Sequence, residues 1–95
     1  MNKYEAIYIL SADLEEQARV DMINRINGLV TANNGTVDKV DEWGKRRLAY
    51  PINKANEGYY VQMLFSSDNV LPAELERNFR NFDAVLRYLV VRIEE

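Results

Sequence analysis

Ninety-five residues carry 12 Lys+Arg and 15 Asp+Glu, with no cysteine and no histidine, for a net charge of −3. That length suits one two-layer domain, 1–95, and the composition removes disulfides, thiolate chemistry and imidazole catalysis or ligation. With 47% hydrophobic and 28% charged residues the chain is ordinary globular material, and its net acidity argues against indiscriminate coating of nucleic acid.

No apolar run approaches the roughly 20 residues of a membrane helix. Lys3 is followed two residues on by Glu5, with no hydrophobic stretch closed by a cleavage site. No membrane partner and a cytoplasmic location are therefore expected.

Residues 3–10 (KYEAIYIL) are aromatic and β-branched and predict a first strand. Asp13 with Glu16 fits a capping box for a helix beginning near Leu14. Its apolar face is Ala18, Met22, Ile23, Ile26, Leu29 and Val30, at three- and four-residue steps. Asn33, Asn34 and Gly35 tolerate the left-handed conformation and stop it.

Thr36 to Ile52 reads as a long extended stretch, with a bulge or bend at Gly44 and, from Pro51, an end that lies at an edge or runs into the turn. Residues 53–58 predict a polar hairpin loop, and 59–65 (YYVQMLF) the return strand. Capping residues at 66–69 precede a second helix that starts near Asn69, admits Pro72 in its first turn and repeats Leu71, Leu75, Phe79 and Phe82 on one face. Residues 81–83 end it. Residues 85–93 (VLRYLVVRI) form a closing strand whose apolar density suggests a central position.

The order is β-α-β-β-α-β. Two right-handed crossovers put both helices on one face of a four-stranded antiparallel sheet, an α+β, ferredoxin-like arrangement. The first and last strands are expected at its centre.

Enzyme readings find no support. Ser11, Ser66 and Ser67 have no base to activate them. Asp41 and Glu42 fall in a polar segment where nothing raises a pKa, and Asp13, Glu15 and Glu16 read as helix-start acids rather than metal ligands. A phosphate-cradling loop after the first strand would need glycines and an arginine, whereas Ser11-Ala12-Asp13 has neither. No cofactor, metal or small-molecule substrate is expected.

The charges are unevenly placed. Lys45, Arg46, Arg47 and Lys54 stand in an acid-free run, and Arg77, Arg80, Arg87 and Arg92 meet only Asp83. A row of cations projecting from one strand surface can meet phosphates, and Tyr50 can stack on an exposed base. An edge strand also uses charge to discourage aggregation, and both readings fit the segment.

The run 43–52 (WGKRRLAYPI) resembles the signature of the bacterial small-subunit ribosomal protein six family. The opening Lys3-Tyr4-Glu5, the return strand at Gly58-Tyr59-Tyr60 and the 83–88 entry (DAVLRY) into a Val-rich last strand fit the same family. The resemblance implies a ferredoxin-like, non-catalytic structural protein of the ribosome. Such a protein would bind the central domain of small-subunit ribosomal RNA as a heterodimer with ribosomal protein eighteen. It carries RNA or partner contact onto Lys3, Tyr4, Lys45, Arg46, Arg47, Tyr50, Lys54, Arg87 and Arg92. Family members commonly continue into a C-terminal tail, whereas this chain stops at Glu94-Glu95. Net acidity then suits a basic protein partner, with local arginines left for RNA. The other reading is an interaction or regulatory module that pairs through its open sheet face without RNA, since Ile7 and Ile9 lie opposite Ala6 and Leu10.

Overall fold

The structure, a computed structural model, describes residues 1–52 and 55–93. In chain order it contains β1 (Asn2–Ser11), α1 (Glu16–Ala32), β2 (Thr36–Ile52), β3 (Ala55–Ser67), α2 (Leu71–Asn81) and β4 (Val85–Arg92). The four strands form one sheet in the order β2-β3-β1-β4, every neighbouring pair antiparallel. This is the ferredoxin-like arrangement.

Strand alternation divides the sheet into two faces. Tyr4, Ala6, Tyr8 and Leu10 of β1 are buried with Val61, Met63 and Phe65 of β3. Ile23, Ile26 and Val30 of α1 and Leu71, Leu75 and Phe79 of α2 join the same cluster, so both helices cover one face. Phe79 links the layers, with ring centroids 5.2 Å from Tyr8 and 5.3 Å from Tyr88. Such aromatic pairs add about 0.5–1.5 kcal/mol each beyond their burial.

β1 and β3, not β1 and β4, form the centre of the sheet, and β4 runs along a free edge. Its apolar density has a different cause. One side, with Tyr88 and Val90, packs on the helices, while the other leaves Leu89 and Val91 exposed.

Helix entry also differs from the capping-box expectation. A turn in which Leu14 N–H donates to the Ser11 carbonyl (3.3 Å) takes up residues 11–14. Glu15 therefore occupies the N-cap, without a side-chain cap bond. α1 ends as expected, but the residue in the left-handed region is Asn34 (φ 65°). Gly35 answers a packing need instead: a Cβ there would lie 2.8 Å from both Leu71 Cδ2 and Val30 Cγ1. α2 starts at Leu71, two residues beyond Asn69, because Asp68 Oδ1 accepts from the N–H groups of Val70 (3.0 Å) and Leu71 (3.1 Å). β3 already begins at Ala55, so residues 55–58 are strand rather than loop.

Candidate nucleic-acid interface

β2 and β3 outrun the rest of the sheet. β1 stops pairing with β3 at Ser11↔Gly58, while β2 and β3 continue through Arg47↔Glu57 to Ile52↔Ala55. Arg47 and Tyr50 thus lie on a two-stranded ribbon that overhangs one end, with Lys45 and Arg46 at its base, where β3 still pairs with β1. At its base Gly58 is required, since a Cβ there would sit 2.3 Å from Ile9 Cγ2. Ile9 and Leu48, both buried, pack over it on the face away from the helices.

Lys45, Arg46 and Arg47 are consecutive, so a period of two sends them to alternate sides of the ribbon rather than into one row. Lys45, opposite Tyr59, reaches a polar recess on the helix side that it shares with Ser11, Asp13, Asn56 and Glu57. Arg46 is on the open face, its guanidinium 5.6 Å from the centre of the Trp43 ring. Arg47, exposed, shares the helix side with Lys45 and pairs across the strands with Glu57. Tyr50, 78% exposed, lies farther out on the ribbon. Lys54 lies outside the described residues.

Arg87 joins this end from β4. It pairs with Ile9, which pairs with Tyr60, which pairs with Gly44. At Gly44 (φ +91°) the expected bulge is present, and it turns Trp43 onto Tyr60 with centroids 6.3 Å apart and planes 13° from parallel. Trp43 was not among the sequence-based site residues. The signal was there: an aromatic beside a glycine bulge changes face relative to simple alternation.

The remaining candidates sit at the other end of β1, roughly 25 Å away at the usual strand rise. Tyr4 is 6% exposed and stacks on Phe65 at 5.4 Å, which removes its ring as a base-stacking surface. Arg92 donates to Asn2 Oδ1 at 3.0 Å, and Lys3 accepts from the Ile93 N–H through its carbonyl. The eight described candidates therefore divide between two ends of the sheet, with Lys45, Arg46, Arg47 and Arg87 gathered toward the overhanging end.

A polar cluster on the helix side of β2 holds the ribbon's root. Tyr59 donates to Glu42 at 2.9 Å, and the Arg19 guanidinium lies 4.3 Å from the Tyr59 ring centre. Burial, then the bond to Glu42, pushes the Tyr59 hydroxyl above its ordinary pKa. Tyr8, deeper in the core, is raised further by burial and secondarily by Glu42; its hydroxyl is buried without a hydrogen-bond partner. Both tyrosines therefore stay neutral at neutral pH. Among the described residues, no three or more acidic side chains gather where they could hold a metal. None of the described helices is long and apolar enough to cross a membrane.

Fold and site together define a class: an α+β binding module whose sheet offers a basic ribbon at one end. Comparison with known proteins narrows this. The family model described as Ribosomal protein S6 matches residues 3–92. Small ribosomal subunit protein bS6 of Alkaliphilus oremlandii is 47% identical over 95 residues, and that of Thermoanaerobacter pseudethanolicus 50%, each match spanning all of both chains. The crystal structure of 30S ribosomal protein S6 from Thermotoga maritima superposes with a TM-score of 0.92 at 30% identity, over 97% of this chain and 87% of that one. The chain belongs to the ribosomal protein S6 family, a component of the bacterial small ribosomal subunit rather than an enzyme. The tail expected of family members is absent from the two curated relatives, which are matched end to end.

Proposed function

We propose that this chain, acting as one domain, binds the central domain of small-subunit ribosomal RNA together with ribosomal protein eighteen. The observation that carries this reading is the overhanging ribbon. Arg47 on it and Lys45 and Arg46 at its base are exposed and enter no ion pair with a carboxylate among the described residues. Exposed guanidinium groups without internal partners are available for bidentate contact with phosphate. Phosphate contacts then position the protein, and specificity comes from the shape of a folded RNA junction. Exposed Leu89, Val91 and Ile93 supply apolar area suited to a protein neighbour in the same assembly.

The test is reconstitution of the chain with protein eighteen and central-domain RNA across a salt series. Arg46→Ala combined with Arg47→Ala is expected to weaken assembly and to lower the slope of log K against log salt by about 1–2. Unchanged assembly at physiological salt would remove both residues from this role.

A further inference from the structure

We propose that Trp43 and Tyr60, flanked by Arg46 and Arg87, form a stacking floor for one unstacked nucleotide of single-stranded RNA. The inference rests on the RNA-binding reading and assigns a seat within it.

Register brings these residues together from three strands. The row Arg87–Ile9–Tyr60–Gly44 runs across the full width of the sheet on its open face. The bulge adds Trp43 to the row, near-parallel to Tyr60. The next row outward, Ser11–Gly58–Arg46, contains a single charge, and it is positive. Ile9 and Leu48 pack over the bare Gly58 backbone and complete an apolar base.

Charge separates this patch from the rest of the sheet. Neither row contains an acid. By register the nearest carboxylate on this face is Asp41, opposite Gln62 and one row further in. On the helix side of the same ribbon, by contrast, Lys45 shares its recess with Asp13 and Glu57. Among the described residues Arg87 has no hydrogen bond or ion pair, and Arg46 is engaged only with the Trp43 ring. A near-parallel aromatic pair, with the Arg46 guanidinium over the Trp43 ring and Arg87 one strand beyond Ile9 in the same row, matches a nucleotide. The base lies on the rings, where stacking is tolerant of base identity, and the adjoining phosphates meet the arginines. A base inside a duplex has both faces covered and does not fit this floor.

Trp43 is the chain's one tryptophan, so its emission reports this spot alone. The full chain is titrated with a fluorescein-labelled single-stranded oligouridine, following RNA anisotropy and indole emission together, and with an A-form RNA duplex as comparison. Oligouridine is expected to quench the emission with the same midpoint as the anisotropy, and the duplex to leave it unchanged. Trp43→Leu should weaken oligouridine binding about tenfold, the scale of one lost base stack, while Trp43→Phe restores most of it. Anisotropy that rises with no change in emission, or a Trp43→Leu chain that binds as tightly as the parent, overturns the proposal. In the reconstituted assembly, full RNA affinity with Trp43→Leu but not with the Arg46/Arg47 double variant sinks the stacking floor and leaves the RNA-binding reading standing. Failure of the parent to join that RNA sinks both. Loss of protein eighteen alone on Trp43→Leu makes the face a protein contact and likewise overturns the proposal.

Discussion

β2 and β4 both run along free edges of the same sheet, yet they manage exposure by different means. β2 is 17 residues long and carries a positive-φ bulge at Gly44, Pro51 and a run of cations. β4 has eight residues and leaves Leu89 56% exposed. A long edge is a template for unwanted pairing, and bulges, proline and charge each blunt it. A short edge needs less of this, so β4 can keep apolar surface. The contrast separates a polar edge suited to a polyanion from an apolar edge suited to a protein.

The edges also differ in what fixes them, and substitution can expose this. Phe79→Ala is expected to have the largest effect, about 3–5 kcal/mol in urea unfolding, as for other buried aromatics. Phe79 carries the Tyr88 contact, so β4 amides should lose hydrogen-exchange protection before those of β2. Equal loss at both edges would contradict the comparison. Gly58→Ala acts at the ribbon's root, where the new methyl meets Ile9. It should cost about 1–3 kcal/mol through crowding, with exchange rising first in β2 and the start of β3.

The smallest effect at neutral pH belongs to Tyr8→Phe. The ring contact to Phe79 on the β4 side is kept, and only an unpartnered hydroxyl on the Glu42 side is lost. Stability should change by less than about 1 kcal/mol. At high pH the two chains should part. Tyr8 has a folded-state pKa raised above its unfolded value, so its contribution is fully present below about pH 10 and is lost as pH rises beyond that. Phenylalanine cannot ionise, and the variant should hold its stability further into alkali. Tyr59 remains to titrate in both. Parallel alkaline unfolding curves would show that Tyr8 is not the group responsible.

Much of this architecture was legible in residue order. Periods of two and of three to four located all six elements, and Gly44 and Pro51 marked the bulge and the edge correctly. What pattern could not resolve was neighbourhood. An apolar strand reads alike whether it is covered on both sides or borders solvent, which is why β4 looked central. Asp13 and Glu16 had the spacing of a cap, but a turn closed by Ser11 claimed those residues first. The candidate site suffered from the same blindness. Adjacent cations on a strand must diverge, and Tyr4 and Tyr50 differ only in which face and which end they occupy. Trp43 and Arg87, far apart along the chain, share a row because of pairing register, which no local window contains.

The overhang has a last consequence. From Glu57 to Ala55 the ribbon's two strands bond, among the described residues, to each other and to no third strand, so most changes there need not propagate into the packed layers. On the proposed reading, defects in its outer residues should surface as faulty assembly of soundly folded molecules.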